Sequence, residues 1–257
     1  DMDFNGKRVL VTGGSRGIGA AVATAFAERG GRVAITWLGH GEAAERVRDR
    51  LPGGPHLALQ CDVADPTAVE TLIERVTTGL GGLDILVNNA GIMGRSPLTE
   101  ITDEDWDDMI ATNLTGPFLC TRAVVRHMLE VGRPGKVINI GSIESEATCP
   151  EQAHYAASKG GVLMLTRALA CDLGPLGINV NAIGPGTTDS GHGAFDDLQV
   201  RERYASKVPI GRLGRPSDLA KAAVFLACDD ADYINGVILY VDGGTITKYA
   251  GLDWPSS

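Results

Sequence analysis

Tyr155 and Lys159, in the stretch HYAASKGGVLMLTRALACDL, are of types that can exchange a proton with an alcohol or carbonyl oxygen. They lie four residues apart, so a helix would place them one turn apart on the same face. A free tyrosine has a pKa of about 10 and is a poor base at neutral pH. A cation held nearby favours the phenolate and lowers that pKa. The pair predicts general acid/base chemistry, although the same spacing also occurs as a structural pair on exposed helices.

Ser142 lies upstream of this pair, at the end of the predicted strand in VINIGSIES. In an open parallel sheet, ligands bind beyond the carboxyl ends of the strands. The Ser142 hydroxyl is therefore placed to hydrogen-bond a substrate oxygen. A turn or capping role is the alternative for this residue.

A glycine-rich turn follows the first predicted strand, in VTGGSRGIGAAVATAFAERG. The spacing is Gly13-xxx-Gly17-x-Gly19, and an amphipathic helix begins there. Glycine permits tight turns and lets the backbone approach a pyrophosphate, which the N–H groups and dipole of the helix then bind. The pattern favours a dinucleotide site over an ordinary tight strand–helix connection.

Alternating strands and helices must position these groups. Short Val/Ile-rich runs, typical of strands buried on both faces of a parallel sheet, alternate with helical patterns. Two helix starts are marked by caps: Asp65 before Pro66, and Thr102 with Asp105 in a capping-box arrangement. The predicted strands cover 8–12, 32–36, 57–61, 84–88, 136–140, 178–183 and 236–241.

This alternation predicts an α/β fold with a doubly wound parallel sheet, right-handed crossovers and helices on both faces. No linker or repeat interrupts it, so residues 1–257 are predicted to form a single dinucleotide-binding catalytic domain. A long Gly-rich and then helical stretch precedes the last helix. We expect it to form a substrate lid at about 187–207.

Composition narrows the function classes. The net charge of −9 argues against nucleic acid or an anionic membrane as the main partner. The five cysteines are scattered without a CxxC pair, which argues against a metal site or a disulfide framework and suits a reducing cytosol. No apolar run approaches the ~20 residues of a membrane span, and no signal peptide is recognised. We expect a cytoplasmic protein.

Taken together, these motifs resemble the short-chain dehydrogenase/reductase superfamily over nearly the whole chain, with its 3-oxoacyl-carrier-protein-reductase-like and glucose-dehydrogenase-like members most similar. The matching motifs, in order, are TGGSRGIG (12–19), NNAG (88–91), Asn113 in ATNLTG, Ser142, Tyr155 with Lys159, and GPG (184–186) followed by TTDS. The resemblance implies a Rossmann-type seven-stranded sheet of order 3-2-1-4-5-6-7. It also implies an NAD(P)(H)-dependent oxidoreductase.

The resemblance assigns the catalytic tetrad to Asn113, Ser142, Tyr155 and Lys159. Tyr155 would be the general acid/base, Lys159 would hold the nicotinamide ribose and lower the Tyr155 pKa, and Ser142 would orient the carbonyl. Asn113 would distort its helix and anchor a water leading from Lys159 to solvent. The expected cofactor contacts are Gly13, Ser15, Arg16, Gly17, Ile18, Gly19, Thr36, Leu38, Asp62, Val63, Asn89, Ala90, Gly91, Tyr155, Lys159, Pro185, Gly186, Thr188 and Ser190.

The second strand indicates which dinucleotide. Its tip in RVAITWLGH carries Trp37 and Leu38 where an NAD-binding unit usually carries an acid for the ribose hydroxyls. Nothing there repels a 2′-phosphate, Arg16 supplies a nearby cation and Thr36 a hydroxyl. Leu38, where many NADP-preferring relatives carry a basic residue, weakens this argument. We expect NADP(H) to be preferred, with NAD(H) as the alternative.

The predicted substrate is a free small or medium-sized ketone or secondary alcohol. Candidate substrate contacts are Met93, Glu144, Gln152 and His192. A sugar or polyol dehydrogenase is the first alternative. A carrier-protein reductase is disfavoured because Leu176 replaces a basic residue before the sixth strand, and a non-catalytic scaffold because the tetrad is complete. The resemblance also implies a homotetramer.

Overall fold

The computed structural model describes residues 2–191 and 194–247, and these form a seven-stranded parallel sheet. The strand order is β3-β2-β1-β4-β5-β6-β7, which confirms the predicted doubly wound topology. The strands are β1 (Arg8–Val11), β2 (Arg32–Trp37), β3 (Leu57–Gln60), β4 (Ile85–Asn88), β5 (Lys136–Ile140), β6 (Asn179–Pro185) and β7 (Ile238–Val241).

Strand β6 extends two residues beyond its predicted end at Ile183. In the structure Gly184 pairs with Tyr240 and Pro185 with Val241 of the edge strand β7. Parallel pairing with β7 thus continues β6 towards the loop that follows it.

Helices cover both faces of the sheet, each over its own hydrophobic core. One core takes apolar side chains from α1, α2 and α8, and the other takes them from α3, α5 and α6. The helices are α1 (Gly17–Ala27), α2 (Gly41–Arg50), α3 (Pro66–Leu80), α4 (Asp103–Ile110), α5 (Gly116–Glu130), α6 (Ala153–Leu173), α7 (Leu198–Ala205) and α8 (Pro216–Ala227).

Both predicted helix caps are present. The Asp65 side chain accepts from Thr67 N at the start of α3, and Thr102 and Asp105 form the reciprocal capping box of α4. Between α4 and α5 the chain does not end its helix but widens into a π-helical segment, Ala111–Thr115, which contains Asn113. Such segments occur mostly as single turns inside α-helices, frequently at functional sites.

A buried ion pair joins β1 to the chain just before β4. The Arg8 guanidinium donates to Asp84 Oδ2 from Nε at 2.6 Å and to Oδ1 from Nη2 at 2.5 Å. Burial alone would raise the pKa of Asp84, but the hydrogen bonds from Arg8 outweigh it and hold this pKa below its ordinary value. The pair therefore fixes the amino ends of β1 and β4, whose carboxyl ends carry the glycine-rich turn and Asn89.

Within residues 2–191 and 194–247, no helix has the length and apolar character that crossing a membrane would need. The same residues contain no group of three or more His, Cys, Asp or Glu side chains that could hold a metal ion.

Candidate active site

Glycines shape the turn between β1 and α1, because their backbone conformation or close packing excludes a side chain. Gly13 and Gly17 have positive φ values of 65° and 55°. A Cβ atom on Gly19 would lie 2.4 Å from the Gly13 carbonyl oxygen, which no side chain tolerates. Arg16 is the N-cap of α1, and its side chain makes no capping hydrogen bond. The first N–H groups of the helix are therefore not paired with this side chain. The turn therefore fits a pyrophosphate.

Two polar side chains hold this turn in place from below. Asn89 donates from Nδ2 to the carbonyl oxygens of Thr12 and Gly13, both at 2.9 Å. Thr36 is 1% exposed, and its hydroxyl accepts from Gly13 N at 3.0 Å. Thr36 therefore supports the turn through this bond, and its predicted contact with the cofactor stays a prediction.

The loop after β6 lies over the same turn. A Cβ atom on Gly17 would be 3.4 Å from Cβ of Ser190, so the TTDS segment faces the start of α1. The Thr188 hydroxyl donates to Gly186 O at 3.0 Å, and Asp189 forms an ion pair with Arg201 of α7. The ion pair thus joins the predicted nicotinamide-binding segment to α7 of the predicted lid, beside the glycine-rich turn.

The remaining predicted cofactor residues lie along the carboxyl edge of the sheet, in the glycine-rich turn, after β2, β3 and β4, and at the end of β6. Asp62 accepts from Ala64 N at 2.9 Å in the turn after β3, and Val63 is buried against Gly116. At the tip of β2, Leu38 is 57% exposed. The other positions in this group, Ser15, Ile18, Ala90, Gly91 and Pro185, lie in the turn, after β4 and at the end of β6.

Ser142 and Tyr155 meet beyond the carboxyl end of β5. The Ser142 hydroxyl oxygen accepts from Glu144 N at 3.1 Å, which leaves its own hydrogen free to donate. Burial raises the pKa of Tyr155 above its ordinary value, a hydrogen bond with Ser142 opposes this, and the charge of Glu144 adds to the rise. The predicted lowering of this pKa by Lys159 is not among these effects and stays a prediction for the enzyme with its cofactor.

Lys159 is 7% exposed, on the same face of α6 as Tyr155. Its Nζ donates to Ile140 O at 3.0 Å and lies 5.7 Å from the centre of the Tyr155 ring. Burial lowers the pKa of Lys159 to about 8. Burial makes the charged form of Lys159 energetically costly, so the ammonium beside the phenol loses its proton as the pH rises above about 8.

The Asn113 side chain joins the π-helical segment to the loop after β4. Its Oδ1 accepts from Ile92 N at 2.8 Å, and its Nδ2 donates to Ile92 O at 2.9 Å and to Ser158 Oγ at 3.2 Å. The predicted distortion of the helix at Asn113 is present as the π segment. The predicted water that leads from Lys159 to solvent stays a prediction.

Comparison with known proteins decides the family. A family profile described as enoyl-(acyl carrier protein) reductase matches residues 13–246. The chain belongs to the short-chain dehydrogenase/reductase superfamily. It is accordingly an oxidoreductase, and membership confirms the expected nicotinamide dinucleotide cofactor.

The names of the relatives of this short-chain dehydrogenase/reductase cover chemically different substrates. The chain is 41% identical to D-threitol dehydrogenase of Mycolicibacterium smegmatis, covering 96% of each chain. It is 40% identical to a 3-oxoacyl-(acyl-carrier-protein) reductase of Staphylococcus aureus, over 93% of this chain and 97% of the relative. A solved gluconate 5-dehydrogenase of Burkholderia cenocepacia, in complex with NADP and tartrate, superposes with a TM-score of 0.88 at 37% identity, covering 96% and 98%.

The predicted substrate residues of this short-chain dehydrogenase/reductase differ in exposure. Met93 is 74% exposed after β4, while Gln152 is 3% exposed and turned towards Glu144. Glu144 lies between Gln152 and Ser142, so two of the four predictions are in contact beside the tetrad. His192 lies outside the described residues.

Sequence analysis missed the residues that fix β5 and α6 behind the tetrad. Asn88 donates to Asn139 Oδ1 at 2.8 Å, and Asn139 donates to Thr166 Oγ1 at 2.9 Å. This buried chain connects β4, β5 and α6. The sequence signal for this chain is an amide at or near the carboxyl end of each of the two strands. His154, next to Tyr155 in the sequence, is 3% exposed and its imidazole packs against Gly94.

Proposed function

We propose that the protein is an NADP(H)-dependent oxidoreductase that transfers hydride between the nicotinamide and a free small or medium-sized ketone or secondary alcohol. The observation that carries this proposal is the meeting of Tyr155, Ser142 and the buried Lys159 beside a glycine-rich turn that fits a pyrophosphate. NAD(H) is the alternative cofactor.

Tyr155 acts as general acid in reduction and general base in oxidation, exchanging its phenolic proton with the substrate oxygen. Ser142 donates its free hydroxyl hydrogen to the same oxygen and stabilises charge that develops there. Bound nicotinamide supplies or accepts the hydride. The chain's own contribution is to hold the substrate oxygen between the two hydroxyls.

Lys159 supports this exchange electrostatically. Below a pH of about 8 it carries a positive charge 5.7 Å from the Tyr155 ring centre, which favours the phenolate. Its contact with Ile140 O fixes the ammonium between β5 and α6. Asn113 keeps the loop after β4 against the same region through its two bonds to Ile92.

A polyol or sugar is the second candidate substrate class, and Glu144 with Gln152 favours it. Their carboxylate and amide lie beside Ser142, where substrate hydroxyls need acceptors. The named activities of the threitol and gluconate dehydrogenases agree with this class. A carrier-protein substrate is disfavoured because the exposed Leu176, in the turn before β6, offers no charge to an acidic carrier.

A substrate panel tests this function. Purified protein is assayed with D-threitol, glucose, gluconate, simple diols and β-ketoesters, each with NADP(H) and NAD(H). We expect turnover of at least one free alcohol or ketone, faster with NADP(H). Cofactor binding without turnover of any of these would contradict the proposal and favour a non-catalytic scaffold.

Arg16 is predicted to select NADP(H). It is exposed at the N-cap of α1, and among the described residues no ion pair engages its guanidinium. A guanidinium–phosphate contact contributes about 1.5–3 kcal/mol. Arg16→Ala should therefore reduce kcat/KM for NADP(H) about 10-fold or more and leave that for NAD(H) nearly unchanged. Arg75→Ala, on the exposed face of α3, is the control.

An equal loss with both cofactors would show that Arg16 acts on the turn itself.

A homotetramer and a cytoplasmic location remain part of the proposal. Exposed Phe118 on α5 and Met164 on α6 offer apolar surface to a second subunit.

A further inference from the structure

Glu144 is held beside the tetrad by groups that do not neutralise it. Its backbone N–H donates to Ser142 Oγ at 3.1 Å, and its carboxylate accepts from Cys149 N at 3.3 Å. With the Gln152 amide oriented to satisfy both groups, its nitrogen donates to the two carboxylate oxygens at 2.5 and 3.0 Å. Since Gln152 is 3% exposed, the carboxylate is anchored from the protein interior.

No cation pairs with this carboxylate among the described residues. Arg95 and Lys207 lie close enough to Cys149 for their charges to lower the pKa of its thiol, against the larger effect of burial. The negative charge of Glu144 raises the pKa of Tyr155, so this carboxylate acts on the reacting groups.

The loop that carries Glu144 is also fixed in shape. Glu151 has a φ of 67°, a left-handed conformation that costs a non-glycine residue energy. Its carbonyl accepts from Ser96 N at 2.9 Å, which binds the loop to the segment after β4. A conformation of this kind persists only where surrounding contacts impose it, so Glu144 and Gln152 are presented in a preset arrangement.

We propose that Glu144 determines specificity by accepting a hydrogen bond from a hydroxyl on the carbon next to the reacting carbon and by repelling substrates that carry a carboxylate there. This inference rests on the proposed function and sharpens its substrate class to polyols and vicinal diols. A carboxylate can only accept hydrogen bonds, so a hydroxyl satisfies it and a second carboxylate does not. Like charges in a partly dehydrated pocket repel strongly.

Threitol and tartrate are matched probes, because both have a four-carbon chain with two inner hydroxyls. Threitol ends in CH2OH groups and tartrate in carboxylates, so the two molecules differ only in their terminal groups, one of which adjoins each inner carbon. We would measure kcat/KM for D-threitol and the dissociation constant of the tartrate with the same arrangement of inner hydroxyls. The dissociation constant comes from calorimetry on the NADP-loaded protein, for wild type, Glu144→Gln and the control Glu146→Gln.

Glu144→Gln should bind tartrate at least about 10-fold more tightly and lose threitol kcat/KM by a similar factor. The control, whose carboxylate lies on the same loop near Arg167, should change neither value. Unchanged tartrate affinity in Glu144→Gln overturns the inference, and so does an equal gain in Glu146→Gln. Absence of alcohol turnover in wild type contradicts the proposed function instead, and tartrate calorimetry still decides the charge effect.

Discussion

Tyr155→Phe is expected to lower kcat about 10³-fold or more while the affinity for NADP(H) stays within about twofold. Phe keeps the ring that packs 5.7 Å from Lys159 Nζ and removes only the hydroxyl. Without it the substrate oxygen has no partner for proton exchange, and Ser142 alone supplies hydrogen bonding. Steady-state rates and cofactor titration by fluorescence measure the two effects separately.

The control for this variant is Tyr233→Phe, a hydroxyl removed from a fully exposed ring. Retention of more than a tenth of wild-type kcat in Tyr155→Phe would remove Tyr155 from the proton transfer. The wild-type pH profile adds a second test. Since the pKa of Tyr155 lies above its ordinary value, oxidation, which needs the phenolate, should accelerate with rising pH, and reduction should slow.

Asp84→Ala is expected to destabilise the protein by about 3–5 kcal/mol, because it leaves the Arg8 guanidinium buried and without its counter-ion. For a domain of this size that corresponds to a fall in Tm of about 10 °C. Chemical denaturation at neutral pH measures the difference. The ion pair lies at the amino ends of β1 and β4, so kcat at a temperature where both proteins are folded should change little.

The pH dependence of this difference follows from the lowered pKa of Asp84. A carboxyl whose pKa is lower in the folded state stabilises the fold above its unfolded pKa of about 3.9. That contribution is lost as the pH falls through the folded value. The gap between wild type and Asp84→Ala should therefore narrow below about pH 4.

Asp232→Ala is the matched control, since its carboxylate pairs with Lys136 but is 66% exposed. Exposed pairs contribute about 0–1 kcal/mol, so this variant should remain close to wild type. An Asp84→Ala cost below about 1 kcal/mol would show that the existing bond from Arg8 Nη1 to Gly81 O is enough to hold the guanidinium without its counter-ion.

Local patterns predicted the frame of this molecule well. Apolar runs located each strand, and Asp65 and Thr102 marked their helices, because backbone geometry and capping depend on neighbouring residues. Contacts between distant residues were not predicted. The Arg8–Asp84 pair spans 76 positions, and no spacing rule connects its members. The position of Thr36 near the end of β2 is predictable from the sequence, whereas its hydrogen bond with Gly13 N is not.

The candidate site shows the same contrast between features that the sequence predicts and contacts between distant residues that it does not. Residue types and order identified Ser142, Tyr155 and Lys159 as a group, since the chemistry restricts which side chains serve. The partners that orient the site come from separate elements, as in the Asn88–Asn139–Thr166 chain. Equally, the bond from Gln152 to Glu144 depends on a loop conformation that composition does not encode.

The π-helical segment at Ala111–Thr115 has a consequence for insertions and deletions. A π-helical turn holds about one residue more than an α-helical turn, so the chain accommodates an extra residue here without ending its helix. The wide turn presents Asn113, whose side chain makes two hydrogen bonds to Ile92 and one to Ser158. Loss of one residue from this segment would let α4 continue into α5 as a regular helix and would remove this placement of Asn113. The number of residues in the segment therefore matters for the site as much as their identity.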